Sequence, residues 1–128
     1  MNRLVVDASA FAAFVFQEPE AGAIAARLNG ASLFAPTLLK FELASVARKK
    51  MRTQPLRASR ILVALATALE ERWGIAWCDV DPIEVVLVAN ATGLTTYDAA
   101  YLWLAGSLGA DLVTLDARLA TAGAALVE

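Results

Sequence analysis

Residues 3–16 read RLVVDASAFAAFVF, and the rest of the chain can be placed around them. Arg3–Asp7 is a short run of apolar, mostly β-branched residues ending on an acid, the pattern of a buried strand. Asp7 and Ser9 can each cap the next segment, and Ala8–Phe16 is apolar enough for a buried helix. A strand passing straight into a buried helix is how a parallel α/β fold begins.

The same alternation continues along the chain. Pro19 predicts the opening of a second helix, which Asn29-Gly30 closes. Ser32–Ala35 reads as a brief strand, and Pro36-Thr37 starts a helix reaching about Arg52. A further helix is expected from Pro55 to near Gly74, then a third strand at Ile75–Cys78. Asp81-Pro82-Ile83-Glu84 has the form of a capping box with proline at the first helical position, so a helix should run to about Thr92. Another is expected from Thr96 to Gly109. Leu112–Leu115 reads as a fourth strand, Asp116 caps a short last helix, and Ala125–Val127 is expected as a fifth strand. Short strands alternating with helices predict an α/β, three-layer sandwich: a mainly parallel, short-stranded sheet flanked by helices. Ligands of such sheets gather beyond the carboxyl ends of the strands.

A chain of 128 residues fits one domain, residues 1–128. Hydrophobic residues make up 59%, 28 of them alanine, which excludes disorder and favours close-packed helices. The formal net charge of −2 excludes a globally basic nucleic-acid coat. With no histidine, Ser-His-Asp and Cys-His hydrolysis, histidine metal ligation and imidazole acid–base chemistry are all excluded. Cys78 stands alone, so an internal disulfide is excluded and a reducing, cytoplasmic setting is expected. The apolar run Ala99–Ala105 is far too short to span a bilayer, and Asp7 interrupts what would otherwise look like a signal peptide.

Four acids carry the chemistry. Asp7 closes the first strand and Asp116 follows the fourth, and each also suits a helix cap. Glu42, in LLKFELASV, lies on the apolar stripe of its helix, with Leu38, Leu39, Ser45 and Val46 at the adjacent helical positions. No cation on that helix can pair with it, and an inward carboxylate needs a partner. A distant arginine is the bland solution. Asp98 falls in the first turn of the Thr96 helix, where acids complement the dipole. Four carboxylates in one cleft would repel one another, and a divalent cation removes the conflict. Oxygen-only ligands select Mg²⁺ or Mn²⁺ over zinc, and magnesium keeps several of its waters. Such an ion polarises a phosphodiester and offsets charge in its hydrolysis.

VVDAS at the amino end, the glutamate of LLKFELASVARK, TYDAAYLWLA and LVTLDARLA together resemble the PIN-domain nucleases. Within them the chain is similar to VapC-type ribonuclease toxins of type II toxin–antitoxin pairs. The likeness spans the whole chain. It implies a PIN-like sandwich and Asp7, Glu42, Asp98 and Asp116 as catalytic metal ligands. Thr114 and Ser9 would be supporting residues, Thr114 matching the family's Ser/Thr two residues before the last acid. It further implies a homodimer, an RNA substrate cut to 5′-phosphate and 3′-hydroxyl ends, and a small antitoxin lying across the active-site groove.

Seven of the eleven cations fall between Lys40 and Arg60, with Glu42 the only acid among them. This local asymmetry could track an RNA backbone, with Lys49, Lys50 and Arg52 as candidate contacts and Arg118 as a phosphate contact beside the acids. Phe11, Phe14, Phe16, Tyr97, Tyr101 and Trp103 recur at helical spacing and read as core or interface packing. Acidic phosphoryl-transfer pockets of other kinds need a late lysine, yet every lysine here precedes residue 51. Nucleotide-binding glycine fingerprints are missing too. The remaining alternative is a catalytically silent PIN-like module that binds RNA or protein.

Overall fold

A computed structural model of the protein describes residues 2–70 and 74–126. Four strands, β1 (Arg3–Val6), β2 (Ser32–Pro36), β3 (Ile75–Cys78) and β4 (Asp111–Val113), form one sheet in the order β3-β2-β1-β4. Every neighbouring pair is parallel, with Val5 opposite both Phe34 and Leu112. Among the described residues seven α-helices surround it: α1 (Ala8–Val15), α2 (Ala21–Leu28), α3 (Leu38–Thr53), α4 (Ala58–Ala68), α5 (Pro82–Thr92), α6 (Thr96–Leu108) and α7 (Ala117–Ala125). A short 3₁₀ turn at Pro55–Arg57 joins α3 to α4. The α/β class and the parallel sheet are therefore as expected. Strands buried on both faces read as continuous apolar runs. Leu4, Val5 and Val6 do so here, and they pack in one core with Phe11, Leu39, Leu43, Tyr101 and Leu119.

The helix ends obey the local chemistry. Asp7 caps α1, Asp81 caps α5, Thr95 caps α6 and Asp116 caps α7 through side-chain oxygens. Gly93 and Gly109 close α5 and α6 in the left-handed conformation that suits glycine. Glu84 departs from the expected capping box: its carboxylate accepts from the Trp103 indole at 2.6 Å, tying α5 to α6.

Several boundaries differ from expectation. Pro36 ends β2 instead of starting a helix. Pairing with β1 stops at Phe34, so the missing N–H is not needed on that side. Pro19 lies in the turn before α2, which begins at Ala21. β4 stops at Val113 instead of reaching Leu115, because Thr114 turns inward to bond Asp7. α4 ends at Ala68, short of Gly74; residues 71–73 lie outside the described chain. The fifth strand is overturned at Ala125, the last residue of α7, since the alanine-rich segment keeps its helical preference; Val127 lies outside the described residues.

Parallel topology determines where the acids go. Each helix that comes after a strand starts at the strand's carboxyl end, and the connections bring α6 to that same edge. The N-terminal ends of α1, α3, α6 and α7 therefore all meet at one side of the sheet.

Candidate active site

The four acids lie on those four helix starts. Asp7 is the cap of α1, Glu42 stands in the second turn of α3, Asp98 in the first turn of α6, and Asp116 is the cap of α7. The cap reading of Asp7 and Asp116 and their gathering at one edge are thus both true.

Asp7 is buried and held on both oxygens. Its Oδ1 accepts from the Ala10 N–H at 3.0 Å and from the Ser9 hydroxyl at 2.8 Å. Its Oδ2 accepts from the Thr114 hydroxyl at 2.5 Å. Each hydroxyl in turn accepts a backbone N–H of the β4–α7 turn: Ser9 from Leu115 at 2.9 Å, Thr114 from Asp116 at 3.0 Å. Two parallel relays therefore run from that turn into the two oxygens of Asp7. A carboxylate has about four acceptor positions. Three are filled, which leaves one on Oδ2 for a ligand.

Glu42 is half-buried and its Oε1 accepts from the Tyr101 hydroxyl at 2.5 Å. The distant arginine of the bland reading is not what meets it. Burial pushes the Glu42 carboxyl above its usual range; the Tyr101 bond opposes this, and the charges of Asp98 and Asp7 add to it. Asp98 is likewise pushed up, first by burial, then by Asp116 and Asp7, with a Thr95 hydrogen bond and the Arg118 charge pulling the other way. Tyr101 is pushed far up by burial and by Glu42, so its hydroxyl keeps its proton and stays a donor. Asp7 is thus felt by both Glu42 and Asp98, and Asp116 by Asp98.

Among the described residues no group of three acidic or thiol side chains is placed so that it could hold a metal ion as it stands. The donor chemistry nevertheless fits magnesium or manganese. The available atoms are carboxylate and hydroxyl oxygens, Asp7 keeps an open acceptor position, and repulsion among the acids calls for a cation. An ion that keeps its waters needs only one or two direct carboxylates.

The candidate cations divide. Arg118 donates to the Gly93 carbonyl at 3.0 Å, which holds it at the end of α5 within the field of Asp98. Lys50 pairs with Glu18 and lies over the Phe16 ring, in a cavity of about 370 Å³ that Arg57 and Arg60 also line. Arg52 borders a separate apolar groove between α3 and α4, and Lys49 is exposed. Lys50, Arg57 and Arg60 thus share one cavity, while Arg48 and Arg52 border another groove.

Sequence reasoning missed the donor role of Tyr101, which it assigned to packing. Tyr101 is indeed core, at 1% exposure, but its hydroxyl also reaches the acids. The available signal was its place three residues after Asp98, on the same helix face. Tyr97 is not core: it stands 61% exposed.

A family model for the PIN domain matches residues 4–125. The chain belongs to the PIN-domain family. Its relatives include Ribonuclease VapC3 of Pyrobaculum aerophilum, 35% identical over 133 aligned positions covering 98% of each chain. Ribonuclease VapC12 of Mycobacterium tuberculosis is 30% identical over 120 positions, 91% of this chain and 89% of the relative. The crystal structure of PAE2754 from Pyrobaculum aerophilum superimposes on this PIN domain with a TM-score of 0.75 at 28% identity, covering 98% of this chain and 95% of that one.

Proposed function

We propose that this PIN domain is an Mg²⁺- or Mn²⁺-dependent endoribonuclease acting as the toxin of a toxin–antitoxin pair. One observation carries the reading: Asp7, Glu42, Asp98 and Asp116 come to one edge of the sheet from the starts of four different helices, where burial and then the neighbouring acids push the Glu42 and Asp98 carboxyls upward. The names of the VapC relatives support ribonuclease chemistry and a toxin role. Among the described residues no helix is long and apolar enough to cross a membrane.

When bound, the cation would polarise the scissile phosphodiester and neutralise the acids. The protein's own groups have separate tasks. Ser9 and Thr114 fix the plane of Asp7 and leave one acceptor position open. Tyr101 occupies Oε1 of Glu42, so Oε2 is the atom free to take a proton or face an ion. Asp98 and Asp116 complete the negative side of the cleft. Arg118, whose charge acts on Asp98, would meet a backbone phosphate. Lys49 and Arg52 would contact more distant phosphates, while Glu18 largely neutralises Lys50.

A homodimer and a small antitoxin across the groove complete the proposal. Ile83, Val86 and Leu87 expose apolar surface on α5 suited to a subunit or antitoxin contact. The chemistry is tested by the ends of the RNA products. Water as nucleophile gives 5′-phosphate and 3′-hydroxyl ends. A 2′,3′-cyclic phosphate would show attack by the ribose hydroxyl, and the proposal would then fail.

A further inference from the structure

Beside the acids lies a second feature with a different chemistry. Glu42 forms part of the wall of a cavity of about 500 Å³ whose other walls are mostly apolar, among them Leu38 and Val46. Two large aromatics stand at it: Phe41 from α3, 72% exposed, and Tyr97 from α6, 61% exposed. Each directly precedes one of the acids, Phe41 before Glu42 and Tyr97 before Asp98. Successive residues of a helix point about 100° apart, so each aromatic flanks the cleft that its neighbour enters. The two come from elements distant in sequence and converge on one cavity that Glu42, of the four acids, also lines. Isolated exposed aromatics need no explanation; a converging pair beside a reactive cleft does.

We infer that Phe41 and Tyr97 form a stacking site for one unpaired nucleobase of the substrate, next to the phosphodiester that the acids address. The inference rests on the ribonuclease reading above and adds the form of its substrate: single-stranded RNA with a base turned out beside the cut. The cavity's residues include one carboxylate and no lysine or arginine, so it suits neither a phosphate nor an acidic peptide. A neutral, planar base fits it. Single-stranded RNA is held in this way, by unstacked bases laid on aromatic side chains. Apart from the Glu42 carboxylate, the polar side-chain groups at the cavity are the hydroxyls of Ser45 and Tyr97, so the site holds a base by its face more than by its edge.

The rival occupant is a cationic peptide side chain, which an aromatic pair beside an acid would also attract. The test uses a short single-stranded oligoribonucleotide carrying 2-aminopurine, a matched chain in which that base is abasic, and an arginine-containing peptide. Binding is read by fluorescence in EDTA, so cleavage plays no part. The wild-type protein should quench 2-aminopurine and bind the intact chain more tightly than the abasic one. Phe41→Ala or Tyr97→Ala should each weaken binding of the intact chain about tenfold and leave the abasic chain nearly unchanged. Tyr97→Phe should bind as wild type, and thermal midpoints should stay together because both rings are exposed. Equal binding of both chains by wild type, or unaltered quenching in the Phe41→Ala, Tyr97→Ala double variant, overturns the inference. So does loss of peptide binding alone in the variants. If bases stack but no RNA is ever cut, the stacking site stands and the nuclease reading falls; if the wild type binds no RNA, both fall.

Discussion

The Tyr101 hydroxyl donates to Oε1 of Glu42 at 2.5 Å, joining the buried face of α6 to the inward face of α3. A neutral phenol thus supplies the partner that an inward carboxylate requires. Because it brings no positive charge, it does not offset the negative charge that the ionised acid would offer a cation. An arginine at that place would have cancelled it.

Tyr101→Phe keeps the packed ring and removes only the donor. Hydrogen bonds to charged groups contribute about 1.5–3 kcal/mol, and the lower end applies to this half-buried carboxylate. Chemical denaturation should show a loss of about 1.5 kcal/mol. RNA cleavage should fall about 10- to 100-fold, as when a supporting residue of a metal site is lost. Unchanged cleavage would make the bond purely structural.

Thr114→Val keeps the shape of the side chain but breaks one of the two relays into Asp7. It strips Oδ2 of its donor and leaves the Asp116 N–H without its acceptor. The expected cost is about 1–3 kcal/mol in unfolding, with a clear drop in cleavage. Thr114→Ser retains the hydroxyl and should recover most of both. Failure of serine to rescue would show that the methyl group matters and the relay does not.

Stability should depend on pH in a definite direction. Glu42 and Asp98 hold their protons more tightly in the folded protein than in the unfolded chain. Stability from such groups is full below the ordinary carboxylate range and falls as pH rises through the raised values. In chelator, the thermal midpoint should therefore decline as pH rises above the ordinary carboxylate range, and decline less in Glu42→Gln. Parallel profiles for the two proteins would contradict the upward push on Glu42.

Neutralising Lys49 and Arg52 together should flatten the salt dependence of RNA binding. Each phosphate contact contributes a slope of about 0.7 in log–log terms for a single strand. The pair should therefore lower the slope by about 1.4 if both touch phosphate. Lys50→Gln should change it less, since Glu18 already neutralises that lysine. An equal loss from all three positions would mean that the basic run acts as one patch.

Much of this was legible in the residues. Caps such as Asp7, Asp81 and Asp116 depend on neighbours three residues away, so local sequence reveals them. The inward position of Glu42 came from helical spacing alone. The identity of its partner did not, because Tyr101 is 59 residues away and its hydroxyl looks like that of any packed tyrosine. The two relays into Asp7 were hidden for the same reason: Thr114 lies 107 residues from it. The division of the cations between two cavities was masked by their closeness in sequence, since neighbours on a helix point in different directions. The end of β4 was misplaced because Thr114 and Leu115 have strand-like preference, which the bond to Asp7 overrides.

Carboxylates gathered at one edge of the sheet are proposed to work with a divalent cation in cutting RNA. The most direct test is cleavage of single-stranded RNA by purified wild-type and Glu42→Gln protein, in Mn²⁺ and in EDTA. Cleavage should occur for the wild type in Mn²⁺ only and fall by about 100-fold or more in the folded Glu42→Gln variant. Undiminished cleavage in EDTA, or by Glu42→Gln in Mn²⁺, would contradict it.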